Sequence, residues 1–424
     1  MSVISYFFGE IPRYSSILGI FCILVIGFLT SVNRKKINIR LVLSALGLQF
    51  FLAIFMLKIP FGMDIVNYIS KAIMRLYQFS FAGMNFVFGA LAVSEGTSWG
   101  NIFAFQVLPM IIFFGAFMSL LFYFGIVQFV VSLIGKVVRP LLGTSGSETL
   151  CAISNSFLGQ TEAPLLVKEY LKTMTKSEFF VVMVSGMGTV SGTLLAVFSS
   201  FGVPLEHLLT ASVMAIPGTI LMAKMMIPQE EKVKLSDVTA TFADAAKNPV
   251  DAISRGTVDG LNLALNVGAM LLAFLSLVAL ANALLGNCSL GVNNFFELIG
   301  LSWKLPSLSL NLIFSWICYP FAWFLGLSGA DASAGAQLIG TKVAINEFIA
   351  FTDMLKMNLS PRAVSLLTYA LCGFSNFSCI GIQIGGIGVL APSTRPWLCE
   401  LGLRCVFAAA LANLLSAMMI GLLI

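Results

Sequence analysis

Two glutamates stand in short polar runs inside otherwise apolar sequence: Asn155-Ser156-Phe157-Leu158-Gly159-Gln160-Thr161-Glu162 and Gly340-Thr341-Lys342-Val343-Ala344-Ile345-Asn346-Glu347. A charged side chain at membrane depth costs roughly 2.5–3.5 kcal/mol on insertion scales, so it persists where it has a task. Carboxylates only accept hydrogen bonds, whereas Gln and Asn each offer two donors and an acceptor. Gathered at one centre, Gln160, Thr161, Glu162, Asn346, Glu347, Asn376, Ser378 and Cys379 suit a neutral solute rich in hydroxyls and ring amides. Phe374 and Phe377 add flat apolar faces for a planar ring. A cation also fits: the Asn155 carboxamide, the Thr189 hydroxyl and freed backbone carbonyls at Leu158 and Val190 give four oxygens. The competing reading is that such polar groups only hold helices together. It suits scattered Ser, Thr and Asn; the clusters around the two glutamates favour a site.

Those residues have to be positioned by membrane-spanning elements. The 424 residues are 58% hydrophobic and only 10% charged, with mean hydropathy +0.96, whereas a soluble domain carries about 25% charged residues. Charge is absent from 14–33, 41–57, 102–135, 179–205, 260–296, 305–330, 363–394 and 405–424. A spanning helix needs about 20 apolar residues, and no segment alternates as a barrel strand would. The chain is therefore an all-α polytopic membrane protein of about eight spans. Its net charge of +5 lies in loops and does not point to nucleic acid. Arg34, Lys35, Lys36 and Arg40 place the first loop in the cytoplasm and the N-terminus outside. The first span lacks a basic leader region and a cleavage site and reads as a retained helix. The short N-terminus and lack of long tails point to a bacterial inner (plasma) membrane. The eight cysteines are scattered without a CxxC pair and read as small buried apolar residues. The one histidine, His207, reads as a helix-end residue rather than a metal ligand or proton relay.

Residues 14–33 and 41–61 make two spans, followed by an amphipathic interfacial helix over 64–81. Its apolar face carries Ile65, Tyr68, Ile69, Ala72, Ile73 and Leu76. The interval 102–135 is too long for one span, and Gly125 is the expected break before a second interfacial stretch. Residues 150–167, interrupted by Gly159 and Pro164, fit a re-entrant hairpin, because non-helical backbone at depth must line a cavity or be buried in protein. A span over 179–201 is broken at 185–192, and another runs over 208–227. A charged loop (229–244), an amphipathic stretch (251–259) and a span (261–285) follow. Residues 307–327 with 335–351 form a second hairpin; a span over 362–390 is broken at 373–381, and a last span fills 401–424. Hairpin, broken span and span thus occur twice. The glutamates are 185 positions apart and Gly186 and Gly373 are 187 apart. Gly-interrupted segments at matching places in two halves are the sequence mark of a transporter site.

The motifs carry a resemblance. Gly159-Gln160-Thr161-Glu162-Ala163-Pro164-Leu165 resembles the first hairpin of concentrative nucleoside transporters. Gly340-x-Lys342-x-x-x-Asn346-Glu347-Phe348 resembles that family's signature, with Ile349 where Val or Ala is usual. Gly373-Phe374-Ser375-Asn376-Phe377 and Gly381-Ile382-Gln383-Ile384-Gly385-Gly386 resemble its substrate helix. The resemblance covers about residues 100–424. It implies an inverted-repeat elevator transporter: a homotrimer whose scaffold holds the assembly while a transport domain carries both hairpins. The domains expected are 1–100 and 101–146 (scaffold), 147–228 (transport, first repeat), 229–285 (charged loop, interfacial helix and scaffold span) and 286–424 (transport, second repeat, its last span open to sharing). By similarity Gln160, Thr161, Glu162 and Phe374 contact the base, and Glu347 and Asn376 bind ribose hydroxyls. Asn155, Leu158, Thr189 and Val190 match a sodium site. Cys379 replaces a ribose-contacting Ser, and a thiol is a weaker donor. Gly159, Thr189 and Val190 resemble broad-specificity members, so purine and pyrimidine nucleosides are both expected. Cys372 matches a cysteine that influences cation preference in some members, which keeps protons beside sodium as the coupling ion. No other cofactor is implied.

Two further classes compete. A membrane-embedded enzyme would use Glu162 and Glu347 as an acid/base pair, but neither a metal-ligand cluster nor a nucleophile with a histidine base accompanies them. A passive channel would not need two hairpins.

Overall fold

A computed structural model describes residues 3–92, 102–231, 246–300 and 303–424, and among them all regular structure is helical. Helices α1 (Val3–Leu29) and α2 (Ile39–Leu57) are joined by an exposed turn bearing Arg34, Lys35 and Lys36. The Asn38 side chain caps α2. Helix α3 (Pro60–Phe88) opens on proline, which suits a first helical turn, and α4 (Phe103–Gln106) and α5 (Leu108–Tyr123) follow. Gly125 adopts φ +74° and turns the chain into α6 (Ile126–Leu142), at the break expected from the sequence.

Two similar series complete the chain. The first is α7 (Gly146–Asn155), α8 (Lys168–Leu171), α9 (Lys176–Gly188), α10 (Gly192–Ser200) and α11 (Leu205–Met226). Then α12 (Pro249–Leu298) and α13 (Leu310–Phe324) intervene. The second series is α14 (Gly329–Ala344), α15 (Glu347–Lys356), α16 (Pro361–Leu371), α17 (Ser378–Leu390) and α18 (Arg395–Gly421). In each, a hairpin precedes a broken span (α9 with α10, α16 with α17) and one long helix. Among the described residues, six helices or near-continuous pairs are long and apolar enough to cross a membrane: α2, α4–α5, α9–α10, α11, α18 and the second half of α12. The bent pair α13–α14 would make a seventh, against the eight or so expected, and α1 and α17 hold shorter apolar stretches. Burial divides the spans: 94% of the best window in α9–α10 lies inside the protein but only 6% of that in α12. The doubled series thus forms the interior, and α12 presents its apolar side chains outward, where lipid would satisfy them.

Four expectations need correction. The stretch 251–259 is not a separate amphipathic element but the start of α12, a 50-residue helix. At about 1.5 Å per residue it is roughly 75 Å long, far more than the bilayer core. Gly256 and Gly260 do not break it; they let α5 approach, since a Cβ on Gly256 would lie 2.6 Å from the Gly115 carbonyl oxygen. The boundary expected at 285/286 therefore falls inside a helix. Residues 307–327 are not an arm of the second hairpin: they hold α13, which is bent 119° from α14 at a turn containing Gly326 and Gly329, both at positive φ. The arms are α14 and α15, and the tip is residues 345–346. The interfacial helix read at 64–81 runs over all of α3, and its apolar Ile65, Tyr68 and Ile69 are exposed, while small or thin residues such as Gly62, Val66 and Ser70 face inward. The charged loop at 229–244 lies, beyond Glu231, outside the described residues.

Candidate functional site

Capping chemistry fixes the elements that reach the centre. Ser145 and Glu148 form a reciprocal capping box at the start of α7, and Thr175 and Glu178 form one at the start of α9. Glu148 also makes a buried ion pair at 2.6 Å with Lys224 near the end of α11, tying the hairpin base to that helix. The far ends of α7 and α9 then meet. Asn155 Nδ2 donates to Ser185 Oγ at 2.9 Å, Thr189 Oγ1 donates to the Asn155 carbonyl at 3.1 Å, and the Gly192 amide donates to the Phe157 carbonyl at 2.9 Å. In the second series the Phe377 amide donates to the Val343 carbonyl at 3.3 Å. The two series cross where the Phe374 amide donates to the Thr189 carbonyl at 3.3 Å.

The crossing gathers part of the predicted set. Asn376 Nδ2 donates to Glu347 Oε2 at 3.0 Å, and both residues are buried. Asn376 Oδ1 accepts from Ser378 Oγ at 2.6 Å and from the Cys379 amide at 3.1 Å, at the start of α17. Asn376 therefore keeps one N–H for a third party. Gln160 Nε2 donates to Cys379 Sγ at 3.2 Å, and Gln160 Oε1 is buried without a partner. Close packing sets these positions: a Cβ on Gly186 would lie 2.9 Å from Gln160 Cβ, and one on Gly386 would lie 2.9 Å from the Thr161 methyl. Phe374 is partly buried beside them, and Phe377 is exposed.

Two expected members stand apart. Asn346 caps α15, its Oδ1 accepting from the Ile349 amide at 3.0 Å. Glu162 is not joined to the Glu347 cluster. Its carboxylate borders a cavity of about 560 Å³ against α5 and α12, shared with Ser119, Gln128, Arg255 and Asp259. That places the two glutamates in different surroundings, one closed and one open. His207 stands at the start of α11, as expected, with Nδ1 3.1 Å from Tyr369 Oη and Nε2 3.1 Å from Ser365 Oγ.

The cation residues fit a hard, singly charged ion. Asn155 is fully buried, and its Oδ1 has no hydrogen-bond donor. Thr189 Oγ1 spends its proton on carbonyls and keeps lone pairs. Leu158 and Val190 are buried in the two non-helical tips. Neutral carboxamide, hydroxyl and carbonyl oxygens suit an alkali cation rather than a transition metal. Among the described residues no cluster of three or more His, Cys, Asp or Glu could hold a metal ion.

Sequence reasoning missed Asn413. Its Nδ2 donates to the carbonyls of Gly188 at 2.7 Å and Cys372 at 3.0 Å, satisfying backbone freed at both helix breaks. Its Oδ1 accepts from Lys342 Nζ at 2.7 Å. The available signal was its being the one carboxamide in the last span. Gln383, quoted only as part of a motif, donates to the Met183 carbonyl at 2.9 Å and ties α17 to α9.

Comparisons with known proteins agree with this geometry. A family model described as the Na+ dependent nucleoside transporter C-terminus matches residues 207–421, one described as its N-terminus matches 18–91, and one described as nucleoside recognition matches 104–205. The nucleoside permease NupC of Helicobacter pylori is 37% identical over 420 residues, covering 96% of this chain and 97% of the permease. An uncharacterized transporter of Haemophilus influenzae is 41% identical over 418 residues, covering 97% of each chain. The rat sodium/nucleoside cotransporter 1 is 36% identical over 428 residues, covering 96% of this chain and 63% of its own length. A solved structure of CNTnw in an inward-facing substrate-bound state is 36% identical, covers 96% of this chain and 98% of that one, and superposes with a TM-score of 0.88.

Proposed function

We propose, because the chain belongs to the Na+-dependent concentrative nucleoside transporter family, that it carries purine and pyrimidine nucleosides into the cell together with sodium. The observation that carries this reading is the pairing of two polar sites where the broken helices cross. One presents the Glu347 carboxylate, an Asn376 N–H and the unpartnered Gln160 Oε1. The other presents the unpartnered Asn155 Oδ1. Glu347 and Asn376 bind ribose hydroxyls, and Gln160 and Thr161 face the base, with Phe374 packing on it and Glu162 reaching it from the wall of the adjoining cavity. Sodium is taken by Asn155, Thr189 and the carbonyls of Leu158 and Val190. Because the Phe374 amide bonds the Thr189 carbonyl, ordering one site steadies the other, which is the physical content of coupling. The doubled series moves as the transport domain against α3, α5 and α12, within a homotrimer in the plasma membrane.

The test is counterflow in proteoliposomes with uridine, adenosine, free bases and nucleotides, in sodium, choline and acidic buffers. Uridine and adenosine enter and accumulate with an inward sodium gradient, while bases and nucleotides do not. Uptake indifferent to every ion gradient would sink the coupling, and a chemically altered product would revive an enzyme.

Cys379 gives a sharper prediction. Replacing it by Ser supplies a full hydroxyl donor where a thiol stands. A hydrogen bond is worth about 0.5–1.5 kcal/mol net, so KM for uridine falls roughly 3- to 10-fold. A dideoxy analogue, lacking the hydroxyls, gains nothing. An equal gain for both would show that Ser acts by packing.

A further inference from the structure

A second cavity, of about 930 Å³, takes no part in the transport reading. It lies at the end of the molecule away from the turn bearing Arg34, Lys35 and Lys36, because α2 crosses from that turn to α3. By the positive-inside rule this is the outer face. Tyr77, Gln78 and Phe81 of α3 and Phe103 of α4 form one wall; Phe201, just after α10, and Lys356, at the end of α15, stand on the other. Ligand pockets run to about 300–1,000 Å³, so the space admits a nucleoside. Its chemistry favours an uncharged planar solute. The four aromatic rings offer faces for a base, and the Gln78 carboxamide offers donors and an acceptor for a ring amide. Among the described residues Lys356 is the only charged one in the lining, and Asp353 stands 3.8 Å from it, so an anion gains little there.

The cavity ends beside the transport site without opening into it. Phe103 and Phe201 each pack edge-on against Phe348, with ring centroids 4.9 and 5.3 Å away. Phe348 is buried and follows Glu347 directly in the chain, and none of the residues assigned to nucleoside or sodium lines the cavity. The two walls belong to parts that move against each other: α3 and α4 stay with α5, whereas α10 and α15 travel with the doubled series. In this shape the cavity exists only in the arrangement seen here, and a ligand held between its walls favours that arrangement. We propose that the outer cavity is a second nucleoside site whose occupancy holds the doubled series in place, so that outside nucleoside at high concentration slows its own uptake. The site is weaker than the first, because no carboxylate grips the ribose. This inference rests on the nucleoside reading above.

The test combines uptake with a binding readout. In intact cells expressing the protein, the initial rate of tritiated uridine uptake rises, passes a maximum and falls as outside uridine increases. At a concentration equal to the second site's Kd the held arrangement doubles its weight, and the rate is about half that expected from the first site alone. Equilibrium dialysis of the protein in detergent gives a second, weaker uridine per chain. Tyr77→Leu removes a ring, and Gln78→Leu removes the amide at an exposed position. Each abolishes both the fall and the weak binding and leaves KM at low uridine unchanged, whereas Tyr77→Phe, which keeps the ring, preserves both. Simple saturation with one uridine bound overturns the proposal, and so does a fall that survives both leucine variants. Should Tyr77→Leu not fold, Gln78→Leu decides. Uptake absent at every concentration sinks the nucleoside reading instead, while a weakly bound uridine lost in the leucine variants still upholds the cavity site.

Discussion

Glu347→Gln lowers the initial rate of uridine uptake by about 100-fold or more. The carboxylate is the first residue of α15, where the helix N-terminus favours negative charge. It is buried and is held by Asn376 Nδ2 at 3.0 Å. Hydrogen bonds to a charged acceptor contribute roughly 1.5–3 kcal/mol each, against about 1 for a neutral one. Two ribose hydroxyls on one carboxylate then lose about 3 kcal/mol on neutralisation, and each 1.36 kcal/mol is tenfold. The amide nitrogen of Gln would also face the Asn376 amide, donor against donor. Its shape is nearly unchanged, so the variant assembles in the membrane. Uptake within tenfold of the wild type, at equal protein in the membrane, would remove Glu347 from the site.

The matching Glu162→Gln substitution is not expected to be equivalent. Glu162 borders a cavity that it shares with Arg255 and Asp259, away from the Glu347–Asn376 pair. Duplication gave two similar glutamates, but the second hairpin closes over its own, while the first turns toward the α5–α12 pair.

Much of this was legible in the sequence, for identifiable reasons. Charge-free intervals give spans because lipid tolerates few charges, and Gly125 marks a break because its φ is positive. Glu347 and Asn376 were read to one centre through the resemblance of their motifs, and the structure joins them at 3.0 Å. What failed was length and direction. Nothing in residues 251–285 distinguishes one helix from two, since Gly256 and Gly260 look like breakers until α5 is seen packed on them. Asn346 reads as a ligand beside Glu347, but a cap and a ligand have the same composition, and only the Ile349 amide decides between them. Asn413 lay outside every motif because its task is to satisfy carbonyls from two segments remote in sequence.

Asn155→Ala raises the half-saturating sodium concentration for uptake at least about tenfold, with a smaller change in maximal rate. Asn155 Oδ1 is a fully buried acceptor with no donor. Leaving such a group unsatisfied costs roughly 1–3 kcal/mol, which a cation would return. Removing the oxygen takes away both the cost and one of four ligands, so sodium loses its differential affinity for this arrangement. The side chain also donates to Ser185 Oγ, and a purely structural role would act through that bond. Ser185→Ala separates the two: it breaks the same bond but keeps Oδ1 in place. If Asn155 is a ligand, Ser185→Ala moves the sodium dependence much less than Asn155→Ala does. Equal shifts would mean that Asn155 only joins α7 to α9. The two outcomes differ because an oxygen that binds an ion and a nitrogen that braces a helix sit on the same carboxamide, and only the first is left without a partner.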